Sequence, residues 1–351
     1  MHIPGLHHEH HHNSSEQQVP ETVIITGGSG YIGQHIIGEL LKQGYKVVAI
    51  VRSQIDGTNL IESFDSPLLS IDVVDQLEKP NSIDFVLKQH KEATVFIATA
   101  AVVKFDAQDQ KKEVMDPSLA IIENTLTSIK HHGEQIKRVI LTSSSSAMVG
   151  PDKVYSYNAE YSDNDWSPLD IEQGKTSGVM AYFTSKKLNE KFAWNFIKQE
   201  EPHFDLVSLN PALCLGPTFF ANKISIDRLP ASNMFISSLL KLQKDSPVPE
   251  FASGAIDVRD VAKAHVSVIK NPKASNQRIL LEAYKATNPN IIHYIRENFP
   301  QYKDKLPDSD PIPESAFKMP NDKKSREILG IENYEYTLEQ SVVDLVKQTI
   351  E

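Results

Sequence analysis

Tyr182 and Lys186 stand four residues apart in Tyr182-Phe183-Thr184-Ser185-Lys186, a spacing that puts two side chains on one face of a helix. A tyrosine near its reference pKa of about 10 exchanges protons poorly at neutral pH. A neighbouring ammonium stabilises the phenolate and brings the hydroxyl toward a useful range, so the pair is a candidate acid/base centre. The same pair also occurs in helices where the tyrosine is core and the lysine solvated. What sets this one apart is the apolar run 139–142, which ends in Ser143-Ser144-Ser145-Ser146. Hydroxyls at a carboxyl strand end lie where open α/β sheets bind ligands. A serine there can hold a carbonyl oxygen beside an acidic tyrosine, although such a cluster can also be only a polar loop.

A second constellation precedes it. The run 23–26 leads into Gly27-Gly28-Ser29-Gly30-Tyr31-Ile32-Gly33 and then into a helical pattern. Such a strand–turn–helix leaves backbone N–H groups free at a helix N-terminus, where the dipole favours a pyrophosphate. Gly27 and Gly30 keep the turn tight and the ligand close, and Gly33 lets helix and strand pack. A lone glycine triplet is weak, but this context points to a dinucleotide. The next run, 47–51, ends in Arg52-Ser53, where an NAD site carries an acid for the ribose 2′-hydroxyl. With no acid there, a 2′-phosphate would favour Arg52 with the Ser53 hydroxyl beside it, so NADP(H) is the expected cofactor. Arg52 read without a ligand is an exposed strand-end arginine. Asp72 stands where an adenine-contacting residue is expected, and it could equally cap a turn.

These residues need a scaffold that lines up strand ends. Short apolar runs at 23–26, 47–51, 68–71, 94–98, 139–142 and 206–210 alternate with helical patterns starting near Tyr31, Ile83, Val114 and Ala181. That is the pattern of an α/β doubly wound parallel sheet, the Rossmann arrangement, with helices on both faces. After Asn210, prolines at 211, 217, 230, 247 and 249 break the alternation. A smaller, mostly helical C-terminal substrate lobe is expected there, closing with an amphipathic helix over 337–350. A strand-like 278–281 returns to the sheet. The division is therefore 19–211 plus about 255–283 for the dinucleotide-binding domain, and about 212–254 plus 284–351 for the substrate lobe.

Composition narrows the function. The 351 residues are 40% hydrophobic and 23% charged, an ordinary globular balance. A net charge of −10 argues against a nucleic-acid partner, which needs a clustered basic face. The longest mostly apolar run, 93–103, is far short of the roughly 20 residues of a membrane helix. The single cysteine, Cys214, cannot form an internal disulfide, which fits the cytoplasm. The first 18 residues carry six of the 13 histidines and read as a purification tag and scar. His265 has no Cys, His or carboxylate set at ligand spacing, so no metal is expected, and the stretch around Asp260 reads as a structural helix start.

Taken together the chain resembles the extended short-chain dehydrogenase/reductases. The matching motifs are Thr26 to Gly33, Leu141-Thr142-Ser143-Ser144, Tyr182 to Lys187, Asn210-Pro211 with Gly216-Pro217, and Ile256 to His265. The likeness runs from about Val23 to the C-terminus and is strongest to the dihydroflavonol-reductase-like branch, especially its yeast methylglyoxal/isovaleraldehyde reductases. The resemblance implies an NADP(H)-dependent reductase of small carbonyl substrates, a monomer or homodimer. It gives Tyr182 the general-acid role, Lys186 the nicotinamide ribose and Ser144 the carbonyl. It adds Val73, Thr99, Ala100, Ala101, Thr142, Pro211 and Leu213 to the cofactor site beside Ser29, Tyr31 and Ile32. The substrate would meet Val103, Ser145, Val149, Val179 and Leu213. Relatives carry a lysine where this chain has Asp56, and aromatics where it has Val103, Ser145, Val149 and Leu213, which implies a roomier, less aromatic pocket.

A hydroxysteroid dehydrogenase or a nucleotide-sugar epimerase would share this fold. An epimerase calls for arginines in the second lobe, and Arg228 is the only one between Pro211 and Gly254. A regulator that binds dinucleotide without chemistry would have no need of Tyr182 and Lys186.

Overall fold

The computed structural model describes residues 20–220 and 223–350; the His-rich tract lies outside the described residues. Among the described residues ten strands form: β1 (Thr22–Thr26), β2 (Lys46–Val51), β3 (Leu69–Val73), β4 (Ala93–Ala98), β5 (Arg138–Thr142), β6 (Asp205–Pro211), β7 (Leu213–Leu215), β8 (Ala252–Asp257), β9 (Gln277–Leu281) and β10 (Tyr284–Thr287). Seven of them build one sheet in the order β3-β2-β1-β4-β5-β6-β9, every neighbour parallel. Both faces of a parallel sheet are covered, so its strands read as nearly continuous apolar runs. One face packs on α1 (Tyr31–Lys42), α2 (Gln54–Phe64) and the helix Val258–Ser267, through Ile36, Leu60 and Val261. The other packs on α3 (Asp84–Gln89), α4 (Asp116–His132) and the long helix Gly178–Glu200, through Leu87, Leu126 and Phe196. The chain winds outward from β1 to β3, then returns to β4 beside β1. This reversal opens a crevice at the carboxyl ends of β1 and β4, where open sheets bind ligands.

Strand limits agree with the sequence expectation to within one or two residues. The long helix starts at Gly178, ahead of the expected Ala181, because the Ser177 side chain caps it by accepting from the Met180 N–H. α2 is absent from the sequence reading. Its pattern is masked by Ile55, which is 74% exposed, and by Gly57 at mid-helix. That glycine lets α2 lie close on β3, since a Cβ there would come within 2.0 Å of Ile71 Cδ1.

The C-terminal lobe is mostly helical, as expected, and adds strands that the sequence did not announce. At its centre is a three-stranded sheet in the order β10-β8-β7, packed by the helices Met234–Leu240, Asn288–Asn298 and Leu338–Lys347 around Ile236, Ile292 and Val342. β7 has only three residues, and β8 is buried along its whole length and shows no alternation. The chain passes from β8 in this sheet to a helix on α1, to β9 in the large sheet, and back to β10. Among the described residues, no helix is long and apolar enough to cross a membrane.

Candidate active site

The glycine turn sits at the crevice. Gly27 has φ +71°, and a Cβ there would lie 2.8 Å from the Ala100 N at the end of β4. At Gly33 a Cβ would lie 2.0 Å from the Gly27 O, so both glycines are demanded by the protein's own packing. Gly30 is different. Its Cβ would meet only the Gly27 O, at 3.3 Å, and the residue faces a cavity. Thr26 ties the two strand ends, its hydroxyl oxygen accepting from the Thr99 N–H at 3.2 Å and the Ala100 N–H at 3.3 Å.

That cavity, of about 610 Å³, runs from the glycine turn to the small lobe. It is lined by Gly27, Ser29, Gly30, Tyr31, Ile32, Gly33, Arg52, Thr99, Ala100, Ala101, Val103, Thr142, Ser144, Ser145, Val179, Tyr182, Lys186, Pro211 and Leu213. Four expected residues do not line it. Ser53 is the N-cap of α2, its hydroxyl oxygen accepting from the Asp56 N–H at 3.2 Å. Asp72 pairs with His90 Nε2 at 2.8 Å. Val73 ends β3 at the surface. Val149 is buried with Met148, Val154, Leu169 and Phe183, because the 3-10 turn Ser145–Ala147 carries the chain away from the cavity.

The pocket is also more aromatic than its sequence suggests. Phe105, Tyr155, Phe183, Phe235 and Phe251 all face it. Phe235 and Phe251 pack at 4.7 Å between ring centroids, Tyr155 and Phe251 at 5.8 Å, and Phe105 and Tyr182 at 6.0 Å. Phe183 stands beside Tyr182 in the long helix, and the other four come from a loop, a helix end, a short helix and a strand approach, so no periodicity announces them. Arg228 is exposed and outside the cavity lining.

Tyr182, Lys186 and Ser144 converge at the centre. Ser144 Oγ accepts from the Ser146 N–H at 3.0 Å, which leaves its own proton free for the cavity. Burial pushes the Tyr182 hydroxyl up to about 12, with Ser144 acting against it. Lys186 Nζ lies 5.9 Å from the centroid of the Tyr182 ring and is drawn down to about 8 by burial. Desolvation therefore dominates the Tyr182 hydroxyl, and the expected lowering by Lys186 does not offset it. Within the described residues Lys186 has no hydrogen bond and no carboxylate partner. Arg52 likewise makes no ion pair. A buried ammonium without acceptors, a glycine that leaves room for a ligand and a free guanidinium fit the ribose, pyrophosphate and 2′-phosphate of NADP(H).

Glu190, one turn beyond Lys186, escaped the sequence reading, although the repeated four-residue step along the helix pointed to it. It is fully buried and accepts from Ser143 Oγ at 2.7 Å, Trp194 Nε1 at 2.9 Å, Arg278 Nε at 2.5 Å and Asn210 Nδ2. Asn210 also donates to the Ser144 O at 3.0 Å. The carboxylate therefore fastens the ends of β5 and β6 to the helix that carries Tyr182. Glu190→Ala leaves Arg278 without its partner and is expected to cost about 3–5 kcal/mol. Urea unfolding of the two proteins checks this; a loss under about 1 kcal/mol would contradict the role of the network. Among the described residues no group of three or more His, Cys, Asp or Glu side chains could hold a metal.

Comparison with known proteins agrees with this architecture. Residues 23–281 match the model of the NAD dependent epimerase/dehydratase family. The chain is 31% identical to the NADPH-dependent methylglyoxal reductase GRE2 of Saccharomyces cerevisiae, over 93% of this chain and 98% of that protein. It is 33% identical to the ketoreductase azaE of Aspergillus niger, over 88% and 92% respectively. The solved structure of Gre2 from Candida albicans in complex with NADPH superposes with a TM-score of 0.88 at 37% identity, covering 94% of this chain and 98% of that one. With its glycine turn, its Tyr182–Lys186 pair and its full-length likeness to these reductases, the chain belongs to the NAD dependent epimerase/dehydratase family, among the extended short-chain reductases.

Proposed function

We infer that the chain reduces aldehydes and ketones to alcohols at the expense of NADPH. The observation that carries this is a Tyr182 hydroxyl, held protonated at neutral pH, in one cavity with Ser144, Lys186 and the glycine turn. NADPH, when bound, supplies the hydride. Tyr182 gives its proton to the carbonyl oxygen as it becomes a hydroxyl, while the free Ser144 proton holds that oxygen in place. Lys186 binds the nicotinamide ribose hydroxyls, and Arg52 the 2′-phosphate. The GRE2 and azaE names, a methylglyoxal reductase and a ketoreductase, support this substrate class. The epimerase alternative is disfavoured because, among the described residues, no arginine lines the substrate end of the cavity. We assign the dinucleotide to the large-sheet unit, residues 19–211 plus about 255–283, and the substrate end to walls that this unit shares with the remainder, through Val103, Tyr155 and Val179 on one side and Leu213 and Phe235 on the other. Buried Cys214 suits a reducing compartment such as the cytoplasm.

The test is NADPH oxidation with a panel of aldehydes, α-diketones, ketoesters and aryl ketones, run beside NADH. The aromatic wall predicts turnover of aryl as well as short substrates. Absence of turnover with every carbonyl, in protein that binds NADPH, would overturn the reading. Lys186 adds a pH signature. Its ammonium is lost as pH rises through about 8, so the Kd for NADPH should be flat below that pH. Above it the Kd should rise toward about tenfold per pH unit. Lys186→Met should bind weakly with no such break; a break that persists in this variant excludes Lys186 as its source.

A further inference from the structure

The segment from Ile256 to His265 has no part in the chemistry so far, yet its last residue reaches the cofactor wall. His265 is fully buried in the helix Val258–Ser267. Its Nδ1 lies 2.8 Å from the Val261 O, and a carbonyl only accepts, so Nδ1 carries the proton. Burial draws the ring pKa down to about 4, which leaves Nε2 an acceptor at working pH. Thr142 Oγ1, 2.7 Å from Nε2, must then donate to it. Thr99 Oγ1 lies 3.0 Å from Thr142 Oγ1. The Thr142 proton being already committed, Thr99 is the donor of that bond. Both threonines line the same cavity as Lys186. At the ends of β4 and β5 the two threonine hydroxyls therefore offer the cavity lone pairs and no proton.

We propose that His265 is a positioning residue: by fixing the direction of the Thr142 and Thr99 hydroxyls, it makes this wall accept hydrogen bonds from a vicinal diol, the ribose of the nicotinamide half. The inference rests on the NADPH reading above. A diol brings protons for the two threonines and lone pairs for Lys186, whereas a phosphate or carboxylate would meet lone pair with lone pair on the threonine side.

The test uses fluorescence titration of the full chain with NADPH and with adenosine 2′,5′-bisphosphate, a probe that lacks the nicotinamide ribose. His265→Leu and Thr142→Val should each weaken NADPH by about 5–20-fold and leave the bisphosphate unchanged. The double variant should be no worse than Thr142→Val alone, and His265→Gln, which can place an acceptor near the position of Nε2, should bind more tightly than His265→Leu. Equal weakening of both ligands, or additive losses in the double variant, would overturn the proposal. Should His265→Leu fail to fold, Thr142→Ser and Thr142→Val decide it, because near-wild-type NADPH binding by the valine variant also overturns it. Wild-type protein that binds neither ligand would instead sink the NADPH reading.

Discussion

Tyr182→Phe is expected to bind NADPH as the wild type does and to lose about 10²–10⁴ of its carbonyl-reduction rate. The substitution keeps the ring, and with it the packing on Phe105 and Phe183, and removes only the proton the product oxygen needs. Because burial holds that proton up to about 12, the tyrosine is fully protonated across the neutral range. Reduction should therefore show no tyrosine titration between pH 6 and 8, and its alkaline fall should follow Lys186 first. Alcohol oxidation needs the phenolate and should rise with pH over the same interval. Lys186→Met is the contrasting variant, slow and also weak in NADPH binding, since its ammonium is assigned both to the ribose and to the reacting centre. NADPH titration beside single-turnover reduction separates the two. A Tyr182→Phe protein that binds NADPH normally and still reduces carbonyls near the wild-type rate would exclude Tyr182 as the proton donor.

What could be read from the sequence follows from how each feature is encoded. The strands of the large sheet are buried on both faces, so unbroken runs such as Val47–Val51 stand out between amphipathic stretches. The glycine turn and the Tyr182–Lys186 pair are local, with fixed spacing, and one chain segment carries all that is needed to recognise each. The pocket is otherwise. Phe105, Tyr155, Phe235 and Phe251 are brought together by the tertiary fold alone, and Val149, three residues past a cavity-lining serine, turns into the core after a single 3-10 turn. β7 and β8 were hidden for a different reason: one is too short for a period, the other buried on both sides. His265 illustrates the limit most sharply. Its motif is plain in the sequence, but its partner Thr142 lies 123 residues away, and only the paired helix and strand reveal what the ring does.

Arg52→Ala is expected to weaken NADPH by about 10–100-fold, the worth of a charge-assisted contact of about 1.5–3 kcal/mol, and to leave NADH nearly unchanged. The residue lines the cavity at the end of β2 and among the described residues has no ion pair, so its charge is available to a ligand. Its exposure argues for the lower part of that range and for an effect that shrinks with salt. The neighbourhood holds opposing contributions. The N-terminus of α2, capped by Ser53, turns its partial positive charge toward the same place, whereas Asp56 in its first turn carries a negative one. Ser53 is committed as an acceptor to the Asp56 N–H and has only its own proton to offer a phosphate. Asp56→Lys, which reverses the charge in that first turn, should therefore strengthen NADPH binding while doing little to NADH. Titrations of both cofactors at low and high salt, in the two variants and the wild type, measure all of these at once. If Arg52→Ala weakens NADH as much as NADPH, the guanidinium acts on something common to both cofactors, and the discrimination has to come from the α2 N-terminus alone.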